Sequence, residues 1–189
     1  MFESILSSFS LVAVSEMGDK TQLLAFSLAA RFKRPGPILA GIFVATVLNH
    51  ALAATVGVWA AAQVSPPTMA YVLGALFVAF GVWTLKPDTL DEQPESGRFG
   101  PFFTTIVLFF LAEMGDKTQM ATVALGARFH SALAVTFGTT LGMMVTDGLA
   151  VLLGDRIAHR VQMKWVRVFA ATLFFAFGAW SFWNARSFG

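Results

Sequence analysis

The feature that most restricts this chain is charge placed inside apolar segments. Glu16-Met17-Gly18-Asp19-Lys20-Thr21-Gln22 stands between the mainly apolar runs Ile5–Val14 and Leu23–Ala30. Ninety-seven residues later, Glu113-Met114-Gly115-Asp116-Lys117-Thr118-Gln119 repeats it between Phe102–Ala112 and Met120–Ala127. An ionised side chain at the centre of a bilayer costs roughly 2.5–3.5 kcal/mol on insertion scales. Glu16, Asp19, Lys20, Glu113, Asp116 and Lys117 together would cost about 15–20 kcal/mol if each acted alone and faced lipid. A membrane chain that keeps them must turn them toward one another, toward water or toward a bound ion.

That these segments are membrane spans follows from composition. Of 189 residues, 56% are hydrophobic and only 13% charged, too few charges to clothe a soluble domain of this size. A span needs about 20 mainly apolar residues. Six stretches meet that need, at roughly 5–30, 38–62, 69–85, 102–127, 132–153 and 168–184. The expected fold class is therefore all-α, a polytopic membrane protein of six transmembrane helices. Met1-Phe2-Glu3 lacks the basic start of a signal peptide, so the first span is expected to remain in the mature protein. With no cysteine, disulfides and thiolate metal ligands are excluded. The net charge of +2 carries no nucleic-acid signal, because the basic residues lie in short loops where membrane orientation accounts for them.

The repeat reaches beyond the hexapeptides. Arg31-Phe32 recurs as Arg128-Phe129, Gly41 as Gly138, Gly57 as Gly154, and Phe80-Gly81 with Trp83 as Phe177-Gly178 with Trp180. One offset through three helices marks a duplicated three-helix unit: residues 1–85, a linker at 86–101, and residues 102–189. An odd number of spans per unit makes the second copy enter the membrane from the opposite side, as in inverted-repeat transporters. Loop charge agrees with a bias toward one face. Arg31, Lys33, Arg34, Lys86, Arg98, Arg156, Arg160, Lys164 and Arg167 fall in the loops after spans 1, 3 and 5, and only Arg128 and Arg186 on the other side. Nine against two places both termini in the periplasm. The linker, with Pro87, Pro94 and four carboxylates at 88–95, reads as a solvated cytoplasmic connector. Residues 155–167 read as an interfacial basic stretch.

If spans 1 and 4 are continuous helices, Glu at i and Asp at i+3 share a face. Each repeat then offers two carboxylates to one point, with Glu16 and Asp19 in one and Glu113 and Asp116 in the other. Thr21 and Thr118 add hydroxyl oxygens, Gln22 and Gln119 amide oxygens, and Lys20 and Lys117 counter-charge. Oxygen ligands suit hard divalent cations such as Ca²⁺ and Mn²⁺. The bland alternative is an intrahelical pair of each Glu with the Lys four residues on, which leaves one acid per motif unmatched. Four carboxylates and two lysines sum to −2, a charge that one divalent cation or two protons would neutralise, and this favours metal/proton exchange, with Na⁺ as the alternative counter-ion. Asn49-His50 in span 2 and Thr146-Asp147 in span 5 stand at equivalent depth. Asp147 and His50 are candidates for proton or metal handling, and an ionised Asp147 would make the tally −3. Met17 and Met114 read as packing.

The doubled Glu-x-Gly-Asp-Lys-Thr motif resembles the signature of the Gdt family of cation/proton exchangers (uncharacterised protein family 0016), and the resemblance covers nearly the whole chain. It implies that Glu16, Asp19, Glu113 and Asp116 ligate the cation, with Lys20, Lys117, Thr21 and Thr118 in support. The compact length is similar to the bacterial MneA-like manganese exporters. That branch implies an inner-membrane exporter of Mn²⁺, or alternatively Ca²⁺, with protons as partner and no resident cofactor. An exporter of amino acids or organic cations is a further alternative. An intramembrane enzyme using the carboxylates and lysines as acid and base fits the duplication less well, since one active site does not need two equivalent halves.

Overall fold

The computed structural model describes residues 1–86, 100–153 and 163–186. Every regular element among them is an α-helix: α1 (Phe2–Ser15), α2 (Lys20–Phe32), α3 (Pro35–Ala62), α4 (Pro66–Thr84), α5 (Pro101–Glu113), α6 (Lys117–Phe129), α7 (Ala132–Leu153) and α8 (Met163–Arg186). Proline at the first helical turn opens α3, α4 and α5, where its missing N–H is no loss. Lys33 and His130, both at φ 51°, close α2 and α6 in the left-handed conformation common at helix ends. Residues 87–99 of the expected linker and 155–162 of the expected basic stretch lie outside the described residues.

Helices α3, α4, α7 and α8 are long and apolar enough to cross a membrane. They coincide with the spans expected at 38–62, 69–85, 132–153 and 168–184. The spans expected as continuous helices at 5–30 and 102–127 are instead each broken in two, at the charged motif. Gly18 has φ 81° and Gly115 has φ 76°; a right-handed helix cannot run through a positive φ, and only glycine takes it without strain. Taken separately, α1 at 14 residues and α5 at 13 are about 20 Å long, short of the roughly 30 Å apolar core of a bilayer.

Several contacts between the two halves exchange partners under the 97-residue shift, as a two-fold relation would have them do. Thr46 Oγ1 lies 3.3 Å from Met143 Sδ, and the rings of Phe77 and Phe174 are 6.5 Å apart. In both contacts a residue meets its own repeat-equivalent. Around them Phe77 packs on Phe177 at 5.5 Å and Phe80 on Phe174 at 6.0 Å, the same contact taken from either side. Small residues let backbones touch where lipid offers no hydrophobic drive between helices. A Cβ on Gly41 would stand 2.8 Å from the Phe102 carbonyl, and one on Gly138 would stand 2.5 Å from that of Ile5, its equivalent. α3 therefore lies against α5 and α6, and α7 against α1 and α2.

Polarity is arranged inside out. Leu52, Trp59, Val82, Phe103 and Trp183 stand on the outer surface, while Glu16, Asp19, His50, Glu113 and Asp147 are buried. Such a surface suits hydrocarbon, and such an interior must satisfy its own polar groups.

Candidate cation site

Each break leaves backbone groups that a continuous helix would have used. After α1, Glu16 stays helical (φ −79°, ψ −17°), Gly18 turns, and Asp19 caps α2 in extended conformation (φ −82°, ψ 170°). The second break starts one residue later, with Glu113 inside α5 and Met114 extended (φ −64°, ψ 121°) before Gly115 and Asp116. Gln22 Oε1 accepts the Gly18 N–H at 2.8 Å, and Gln119 Oε1 accepts the Gly115 N–H at 2.8 Å. The two amide oxygens thus close their own breaks.

An aspartate at a helix N-cap ordinarily turns its carboxylate back onto its own helix. Neither Asp19 nor Asp116 does so. Lys117 Nζ donates to Asp19 Oδ1 at 2.8 Å, and Lys20 Nζ lies 3.1 Å from Asp116 Oδ1. Each motif lysine therefore pairs with the aspartate of the other repeat. This replaces both the expected shared helix face and the intrahelical Glu–Lys alternative, because the break carries Glu and Asp onto different helices.

Glu16 is fully buried and accepts Thr21 Oγ1 on Oε2 at 2.6 Å and Thr118 Oγ1 on Oε1. One carboxylate oxygen each from Glu16, Asp19 and Asp116 lies within 4.8 Å of the others, all three residues buried. Ligands on opposite sides of a calcium-sized ion, at about 2.3–2.6 Å from it, stand about 4.6–5.2 Å apart. The trio, drawn from both repeats, has the spacing and chemistry to hold a hard divalent cation.

Glu113 falls outside that trio. Both its oxygens lack a hydrogen-bond partner among the described residues, and His50 Nε2 stands 4.0 Å from Oε2. Asn49 braces the second break: its Oδ1 accepts Gln119 Nε2 at 2.8 Å, and its Nδ2 donates at 3.0 Å to the Phe110 carbonyl, which also accepts the Met114 N–H at the end of α5. At the first break, Gln22 Nε2 reaches the Thr146 carbonyl at 3.4 Å. Asp147 is fully buried with both oxygens unpartnered among the described residues, within electrostatic reach of Glu16 and Glu113. Met114 is largely exposed, unlike the buried carboxylates of the cluster.

Sequence reasoning missed the cross-repeat lysine pairs and the Phe110 and Thr146 carbonyls. The pairs had a signal: an aspartate next to a glycine and before a helical run is an N-cap candidate, and a lysine just after it is then positioned to reach across.

The chain matches the family described as "Divalent cation/proton antiporter GDT1" over residues 4–92 and 101–188, one stretch in each repeat. It is 45% identical over 168 residues to a Vibrio cholerae protein named "Putative manganese exporter", covering 88% of this chain and 84% of the relative. A GDT1-like protein 3 of Oryza sativa subsp. japonica is 30% identical over 208 residues, covering 96% and 74%. A GDT1-like protein of Synechocystis is 27% identical over 209 residues, covering 97% and 98%. No solved structure matches the chain at a significant level.

Proposed function

The chain belongs to the GDT1 family of divalent cation/proton antiporters, a family of transporters and not of enzymes, and from that premise we propose that it exports Mn²⁺ from the cell in exchange for protons. The carrying observation is the buried trio Glu16, Asp19 and Asp116, assembled from both repeats at two helix breaks. Broken helices with ion ligands at the break are a recurring device of secondary transporters. In this reading α1–α2 and α5–α6 each cross the bilayer as one broken span. The six spans then form two inverted repeats in the inner membrane, both termini are periplasmic, and Glu113 joins the trio as a fourth ligand.

The cross-repeat pairs refine the charge tally. Lys117 and Lys20 offset Asp19 and Asp116, so the residual −2 sits on Glu16 and Glu113. One divalent cation, or two protons, cancels it. A cation arriving at the trio competes with the lysine ammoniums for aspartate oxygens, and protons compete with it for the glutamates. Asp147 and His50, buried beside the glutamates, extend the route by which protons reach them. The oxygen set takes Ca²⁺ as readily as Mn²⁺; the name of the Vibrio relative tips the choice to Mn²⁺.

Proteoliposomes with an internal pH reporter test this, offered Mn²⁺, Ca²⁺ and Mg²⁺ in turn. Mn²⁺ movement is expected to drive protons the opposite way, and Glu16→Gln and Asp19→Asn are each expected to cut that flux at least tenfold. Metal flux that neither moves protons nor responds to a pH gradient overturns the exchange. Intact flux in both variants overturns the site.

A further inference from the structure

Two hydroxyls serve one glutamate, although the chain holds two equivalent glutamates. Thr21 reaches Glu16 from five residues away in its own repeat, and Thr118 reaches it from the other repeat. Glu113 is as deeply buried, lies within electrostatic reach of Glu16, and receives neither. Exchanging the repeats turns the Thr21–Glu16 bond into Thr118–Glu113, and the Thr118–Glu16 bond into Thr21–Glu113. The same two hydroxyls therefore suffice for either glutamate. They cannot serve both glutamates fully, since each has a single proton to donate.

The packing of the helices is unequal in the same sense. α4 packs on α6 and α8 on α1, while the reciprocal pairs, α8 with α2 and α4 with α5, have no comparable contact among the described residues. The lysine pairs follow: the Lys117–Asp19 side chains are 4% and 0% exposed, the Lys20–Asp116 side chains 28% and 6%. Hydroxyls, lysines and the packing of α4 and α8 all depart from the two-fold relation together, as one of two arrangements that exchange of the repeats interconverts.

Resting on the antiport reading above, we infer that Thr21 and Thr118 are a shared positioning pair that passes as a unit between Glu16 and Glu113, and that this hand-over couples the binding site to the swing of α4 and α8. In the exchanged arrangement both hydroxyls sit on Glu113, Lys117 gains exposure and Lys20 loses it. α4 then packs on α5, and α8 on α2. A buried carboxylate is poorly served by half a set of donors, so the pair has two resting places and no stable midpoint.

The absence of native cysteine allows clean spin labelling. One label pair is Thr68→Cys with His130→Cys, at the start of α4 and the end of α6; its repeat-equivalent is Trp165→Cys with Lys33→Cys, on α8 and at the end of α2. All four positions are exposed. Distances are measured by pulsed electron resonance in metal-free nanodiscs. Glu16→Gln, a weaker acceptor, is expected to lengthen the first distance and shorten the second, and Glu113→Gln to do the reverse. The population ratios of the two variants should differ by about tenfold, the scale of one hydrogen bond to a charged group. Adding Thr21→Val with Thr118→Val should abolish that difference, and Thr21→Ser with Thr118→Ser should retain it. Shifts of the same sign, or a difference that survives in the valine background, overturn the hand-over. Failure of these distances beside intact Mn²⁺/H⁺ exchange by the native protein overturns the hand-over alone. Absence of exchange by the native protein overturns the antiport reading.

Discussion

Glu16 and Glu113 occupy equivalent places in identical heptapeptides, yet Glu16 holds two threonine hydroxyls and Glu113 has His50 at 4.0 Å. Their neighbours differ in kind as well. The first break leans on a main-chain carbonyl, that of Thr146, and the second on a side chain, Asn49. Local sequence cannot cause these differences, because locally the two copies are the same. They come from α3 and α7, which carry Asn49-His50 on one side and Thr146-Asp147 on the other, and from the unequal packing that sets α4 on α6 and α8 on α1.

The largest expected asymmetry lies in the aspartates. Asp19→Asn removes the charge that meets buried Lys117 at 2.8 Å, a change expected to cost about 1.5–3 kcal/mol, the scale of a hydrogen bond to a charged group. Asp116→Asn affects Lys20, which keeps access to solvent, so about 1 kcal/mol is expected. Thermal unfolding of the two variants in detergent compares them directly; equal losses would mean that burial does not distinguish the pairs. The glycines should behave alike. Gly18→Ala and Gly115→Ala each place a side chain at positive φ, at about 1–2 kcal/mol apiece, and a marked inequality in the same assay would show that one break relaxes where the other does not. The smallest effect belongs to the glutamines. Gln119→Leu loses a 2.8 Å bond to Asn49 where Gln22→Leu loses one of 3.4 Å to a carbonyl. The second break should therefore open more than the first by about 0.5–1 kcal/mol, read as faster hydrogen exchange in peptides covering 114–117 than in those covering 17–20.

Much of the helical layout was legible in the chain. The apolar stretches at 38–62, 69–85, 132–153 and 168–184 are found as α3, α4, α7 and α8. The breaks were not legible as breaks. Gly18 and Gly115 sit inside apolar windows that average over a few residues, and a lone glycine in a helical pattern is usually tolerated. Glycine only permits a positive φ. What selects it is the two-helix geometry that sends Asp19 to Lys117 and Asp116 to Lys20, a long-range relation that no local pattern encodes.

The same division runs through the candidate site. The repeat made Asn49-His50 and Thr146-Asp147 equivalents in depth before any coordinates, and it grouped the charged motifs. It could not say that His50 stands beside Glu113, that the glutamine oxygens close the breaks, or that Glu113 lies outside the trio of Glu16, Asp19 and Asp116. A 97-residue repeat, read alone, assigns every residue an equivalent and so sets which contacts come in matched pairs. Which member of a pair holds the hydroxyls, and which lysine meets solvent, was decided in the packed molecule. Two identical segments have identical local preferences, so only unlike neighbours, brought in by tertiary packing, can make one differ from the other.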